Sequence, residues 1–128
     1  MTYGVLGALS GLIAVLAGAF GTHALRSRLD PSLLQVFETA ARYQMFHALA
    51  LVAVWLAEER GRRGALMVAG ALFASGTLLF SGSLYLLALT GVRAWGAVTP
   101  FGGLCLMAGW VSLAVAMARA RSHRAGLV

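Results

Sequence analysis

Glu38, Arg42, Tyr43, Gln44 and His47 all fall in the stretch FETAARYQMFHALALVAVWLA, residues 37–57. Side chains of these types move protons, hold anions and ligate metals. Their spacing narrows the chemistry. Glu38 and Arg42 are four apart, so on a helix they share a face. They can pair with each other there, or hold a substrate, a lipid headgroup or a partner. His47 follows Glu38 by nine positions, about 180° round a straight helix. Those two cannot form a dyad on one face. Tyr43, Gln44 and His47 do share a face, at spacings of four and three. Turned into a bundle, that face would let His47 bond Ser81, Ser83, Tyr85 or Thr99 as interhelical glue, at roughly 0.6–2 kcal/mol per bond. The alternatives are a proton relay, a haem or metal ligand, and a headgroup or quinone contact.

Other polar residues give weaker signals. His23 closes the first apolar stretch and meets His47 if the fold brings those ends together. No carboxylate or thiolate sits at ligand spacing around the two, so no metal site is expected. His123 lies in a basic tail and reads as solvated. Cys105 is the one cysteine, which excludes an intrachain disulfide. FSGSLY (80–85) adds Ser81 and Ser83 within an apolar run, and TPFGG (99–103) puts Pro100 in an opening helical turn, where its missing N–H costs least. There is no G-x-S-x-G elbow, phosphate loop, dinucleotide fingerprint or zinc motif. No catalytic residue is assigned, no cofactor is expected, and a non-enzymatic role is the expectation.

The elements that position these groups must lie in lipid. Hydrophobic residues make up 60% of the 128 and charged residues 11%, with a mean hydropathy of +0.84. A soluble domain carries about 25% charged residues and could not hide this much apolar surface. Four apolar stretches, about 3–21, 41–57, 65–89 and 97–118, are each near the ~20 residues that cross a bilayer. They predict an all-α integral membrane four-helix bundle in one domain, with residues 119–128 as a basic tail. The first stretch has no basic residue ahead of it, so it is expected to stay as a helix and not to be a cleaved signal. Asp30-Pro31 reads as a helix cap, and Leu33, Leu34 and Phe37 give an apolar face to a short interfacial helix between the first two spans. EERGRRG (58–64) reads as a polar turn, and TGVRAWG (90–96) as a tight turn with an interfacial Trp.

All ten basic residues are Arg, and the net charge is +6. The arginines flank apolar stretches, so they point to headgroups and orientation and not to nucleic acid. Arg60, Arg62, Arg63, Arg119, Arg121 and Arg124 fall on the side of the termini. Arg26, Arg28, Arg42 and Arg93 fall on the other. That bias places both termini in the cytoplasm.

Small residues recur at steps of three and four. They are Gly4, Gly7, Gly11, Ala14, Gly18 and Gly21 in the first span, Gly70, Ala74, Thr77, Ser81 and Tyr85 in the third, and Gly102, Cys105, Gly109, Ser112 and Ala116 in the fourth. This alternation is the seam of a left-handed bundle, and small side chains on it let backbones approach closely. Such a tight bundle leaves little room for a pore, but suits a homo-oligomer or a docking surface.

Four motifs occur in order: GAFGTHAL (18–25), FETAARYQMFHALAL (37–51), LFSGSLYLLALTG (79–91) and GAVTPFGGLCLMAGW (96–110). As a set they closely resemble the small bacterial inner-membrane proteins of the domain of unknown function 423 family, to which the eukaryotic transmembrane protein 256 is similar. The resemblance runs to about Arg119. It implies a four-helix membrane protein of bacterial plasma membranes, with no agreed activity. It also implies a polar signature of His23, Glu38, Arg42, Tyr43, Gln44, His47, Ser81, Ser83, Tyr85, Thr99 and Pro100. Thr22 departs from it, standing where the resemblance leads one to expect a small Ala.

The expected function is a small subunit, assembly factor or binding protein for membrane lipid or another membrane complex. The alternatives are small-solute or proton transport along Glu38, Arg42 and His47, and a haem, metal or quinone site at His23 and His47.

Overall fold

The computed structural model describes residues 2–58 and 64–125, with side chains described as far as residue 119. Residues 59–63 of the EERGRRG turn, with Arg60, Arg62 and Arg63, lie outside the described residues, as do the side chains of Arg121 and Arg124. The elements are α1 (Thr2–Leu16), a π-helical turn (Ala17–Gly21), α2 (Thr22–Leu25), α3 (Pro31–Glu58), α4 (Gly64–Thr90), a 3-10 turn (Arg93–Ala97) and α5 (Thr99–Ala125). Among the described residues, four helices are long and apolar enough to cross a membrane. The first runs unbroken through α1, the π turn and α2. No strand occurs among the described residues.

Local sequence sets the helix ends. Asp30 Oδ1 accepts bonds from the Ser32 backbone N–H at 2.8 Å and the Ser32 hydroxyl at 2.7 Å, with Pro31 in the first turn. That cap satisfies an otherwise orphaned donor, and the Ser32 bonds hold the Asp30 carboxyl below its ordinary pKa. Residues 31–37, expected as a short interfacial helix, are helical, but no break separates them from the second span. They form its first two turns, because one cap starts a single 28-residue helix. α4 ends where Gly91 takes φ +70°, a value L side chains rarely adopt.

α1 packs on α3, α3 on α4, and α4 on α5. The second and third spans are buried most and the first least. The core joins Leu51 and Val54 of α3, Leu66, Ala69 and Phe73 of α4, and Leu106 and Leu113 of α5. Leu9, Leu12 and Ile13 of α1 and Leu104, Met107 and Val111 of α5 point outward, as lipid contact requires.

The small residues sit where helices meet. A β-carbon at Gly4 would lie 2.7 Å from the Trp55 ring, one at Gly7 2.8 Å from the Ala48 carbonyl oxygen, and one at Gly21 2.9 Å from Phe37. Gly11 and Gly18 leave ordinary spacing to Ala48 and Ala41, at 3.8 and 4.0 Å. Gly70 lies under Tyr3, Gly109 under Phe73, and Gly102 against the α4 backbone at Phe80. Tyr3 donates to the Met67 carbonyl at 3.1 Å and Ser112 to the Ala65 carbonyl at 3.0 Å, tying the end near Thr2. The α1–α3 ladder also fixes depth. Glu38 lies level with Gly21, the last residue of the first apolar run, and Arg42 lies one turn deeper.

Candidate functional site

The middle of α3 carries two separate polar arrangements, and its first turns carry a third. The first is centred on Gln44, which is buried midway along α3. Its amide Nε2 donates to the Ser10 carbonyl at 3.2 Å and faces the Ser10 hydroxyl at 3.4 Å. Its Oε1 accepts from the Tyr85 hydroxyl at 2.8 Å. One side chain thus joins three spans. Tyr85 also meets Phe37 edge-on, with centroids 5.0 Å apart. Removing Gln44 leaves Tyr85 without an acceptor. Gln44→Leu is expected to cost about 1–2 kcal/mol, the upper range for interhelical bonds in lipid, read as a lower unfolding midpoint in mild detergent. A midpoint equal to that of the unaltered chain would refute the bridge.

The second arrangement is centred on His47, which is also buried. It does not bond Ser81, Ser83, Tyr85 or Thr99. Its Nδ1 lies 2.7 Å from the Tyr43 carbonyl oxygen and its Nε2 lies 3.2 Å from the Trp110 indole nitrogen. A carbonyl can only accept and an indole N–H can only donate. The ring is therefore neutral, with its proton on Nδ1, and both nitrogens are engaged. Sequence reasoning missed Trp110. Its position on a helix apolar all round gave no sign of which neighbour it faces. Ser83 pairs with Thr99 at 2.7 Å and also donates to the Phe80 carbonyl at 3.0 Å. Ser81 is buried, and its hydroxyl has no partner.

His23 and His47 are not brought together. His23 is exposed in α2, and the α1–α3 ladder puts it about level with Val36 in the second turn of α3, while His47 lies about eleven helical steps deeper, or about 16 Å at the rise of a helix. Among the described residues no group of three potential ligands could hold a metal ion. A shared metal or haem site at these two histidines is thus corrected by the axial separation.

The third arrangement contains Glu38 and Arg42. They line one groove of about 350 Å³ between the first span and α3, together with Ala14, Gly18 and Thr22. Among the described residues no ion pair forms within 4.0 Å, so Glu38 and Arg42 share the groove without closing on each other. Arg42 is exposed, Glu38 half-buried. The facing wall is made by Ala14, Gly18 and Thr22, and Gly18 belongs to the π turn Ala17–Gly21. Such turns recur at functional sites because they interrupt the regular helical ladder. The Thr22 hydroxyl, at its far end, is buried without a partner. Arg42 and His47 open into different grooves.

Comparison with known proteins agrees with this architecture. The model of the family described as "Protein of unknown function (DUF423)" matches residues 17–103. The chain is similar to the UPF0382 membrane protein YwdK of Bacillus subtilis, 41% identical over 113 residues, covering 88% of this chain and 92% of that protein. It is similar to a UPF0382 membrane protein of Staphylococcus saprophyticus, 43% identical over 111 residues, covering 87% and 92%. A further relative from Staphylococcus aureus is 40% identical over 116 residues, covering 88% and 91%. No solved structure gives a significant match.

Proposed function

The chain belongs to the DUF423 family of membrane proteins, and from that premise we propose that it is a non-enzymatic binding protein of the bacterial plasma membrane. Both termini lie on the cytoplasmic side in this reading, supported by the arginine bias. The ligand is a phospholipid headgroup held in the Glu38–Arg42 groove. One observation carries this: two opposite charges line a groove near the edge of the apolar zone and leave each other unpaired. A zwitterionic headgroup supplies the complement of both. Its phosphate takes the guanidinium, which suits bidentate contacts, and its ammonium takes the carboxylate. Arg42 reaches outward from its level along its own aliphatic stem.

Transport along Glu38, Arg42 and His47 has less support, since the first two and the third face different grooves and His47 has both nitrogens occupied. A second reading is docking of another membrane protein, or another copy, on the first span. The outward Leu, Val and Ile of that span favour it.

Purification in a mild detergent that keeps lipids, followed by mass measurement of the intact particle, tests both. The expected result is a stoichiometric phospholipid that Arg42→Gln releases. Losing a charged hydrogen bond of about 1.5–3 kcal/mol should weaken retention by roughly tenfold to a hundredfold. Retention of a protein instead would favour the second reading. A homogeneous particle with neither would sink both.

A further inference from the structure

The groove between α3 and α5 holds chemistry that the headgroup reading does not use. It encloses about 490 Å³. Tyr43, Phe46, Phe80 and Trp110 supply its rings, His47 its polar floor, and Met107 its lipid-facing rim. Phe46, Met107 and Trp110 are all about half exposed, so the groove opens sideways to the membrane. Tyr43 lies 4.9 Å from Phe80 and 6.2 Å from His47, centroid to centroid. His47 sits near mid-span, away from charged headgroups. A flat, uncharged ring matches such walls.

The polar floor is more specific. The Tyr43 carbonyl fixes the His47 proton on Nδ1, which leaves Nε2 as a bare acceptor. The Trp110 indole offers one donor. These two now satisfy each other at 3.2 Å, a long bond open to the groove. An oxygen that replaces this bond without leaving either group unpaired must both donate and accept. An aromatic hydroxyl does both: its O–H donates to Nε2 and its lone pair accepts from the indole N–H. A ring carbonyl can only accept, so it would satisfy Trp110 and orphan His47 Nε2.

We propose that this groove binds the ring of a membrane-soluble quinol, one hydroxyl bridging His47 Nε2 and Trp110 Nε1, and that it prefers the quinol to the quinone. The alkyl or prenyl tail leaves past Met107 into lipid. Binding alone is inferred, with no electron transfer.

The test is a titration of the full chain in detergent micelles, following the Trp110 indole N–H resonance. Trp55→Phe and Trp95→Phe identify that resonance among the three. Decyl-benzoquinol, kept reduced under argon, should shift the Trp110 signal saturably and leave the other two in place. Decyl-benzoquinone should bind about tenfold more weakly or worse, because it leaves a buried acceptor unpaired. Gly103→Leu should abolish the shift. A β-carbon there meets Phe80 at an ordinary 3.8 Å, so the added side chain fills the groove without forcing the backbones apart. Met107→Trp, at a lipid-exposed position, is the second filling variant should the first fail to fold. A shift that never saturates, persists in the filled variants, or is matched by decanol overturns the site. Equal or tighter binding of the quinone overturns the bridging role of His47.

Discussion

Gly102→Ala is expected to loosen the α4–α5 pair and lower the unfolding midpoint more than any other glycine replacement on the packing stripes. A β-carbon there would lie 2.7 Å from Phe80 Cα and 2.8 Å from the Leu79 carbonyl carbon. Both are backbone atoms, which cannot swing away as a side chain can. The helices must separate, and every contact along their shared face weakens together. Overpacking of this kind costs about 1–3 kcal/mol, at times more, and backbone obstruction puts this case at the upper end. Two controls isolate the cause. Gly18→Ala meets Ala41 at 4.0 Å, and Gly82→Ala meets nothing within 4 Å. Both should be neutral or gain up to about 1 kcal/mol from better helix propensity. Denaturation by graded SDS in a mild detergent would measure all three. If Gly102→Ala behaves like Gly18→Ala, the close approach of α4 and α5 is wrong.

Phe73→Ala should be comparably damaging by the opposite route. Phe73 is 0% exposed and is the largest fully buried side chain among the described residues. It stands over Gly109, 5.1 Å from Trp110 and 5.8 Å from His47, centroid to centroid. In water, losing such a side chain costs a transfer term and a cavity term. In lipid the transfer term largely cancels, since a separated α4 would bury Phe73 in hydrocarbon. The cavity term remains. At ~24 cal/mol per Å³ over roughly 100 Å³ it comes to about 2.4 kcal/mol. Lost ring contacts add about 0.5–1.5 kcal/mol each. The expected loss is therefore about 3.5–5 kcal/mol, with Phe73→Leu near half of that. A loss under about 1 kcal/mol would show that lipid or a neighbouring side chain refills the space.

The all-α bundle was legible because apolar length and polar turns suffice to mark membrane helices. Glu38 and Arg42 were legible as one face, but the expected Tyr43–Gln44–His47 face divides in the fold, with Gln44 turned to Ser10 and Tyr85 and with Tyr43 and His47 lining the groove against α5. A helix apolar all round has almost no preferred side, so nothing marked Trp110 as the residue that meets His47. The same ambiguity affects the third span. Its stripe of Gly70, Ala74, Thr77, Ser81 and Tyr85 includes Gly70 under Tyr3 of α1, whereas its approach to α5 uses Gly76, under Leu106, at a different phase. The π turn left no trace in AGAFG, because one extra residue in a helical turn changes neither composition nor length. The missing Glu38–Arg42 pair was equally hidden. Four-residue spacing permits a pair, but only the groove beside it shows the two charges left open.

The packing order α1 on α3, α3 on α4, α4 on α5 has a consequence for how the chain is made. Each span rests chiefly on the one synthesised just before it. The connections between spans are short, so closing each hairpin costs little loop entropy. Contacts that are near in sequence also form fast. The bundle can therefore assemble hairpin by hairpin as it leaves the ribosome, without waiting for a distant partner. The first span keeps most of its Leu and Val facing outward even in the finished molecule. α5 emerges after α3 and α4 and brings Trp110, so one ring nitrogen of His47 stays unanswered until α5 packs in place.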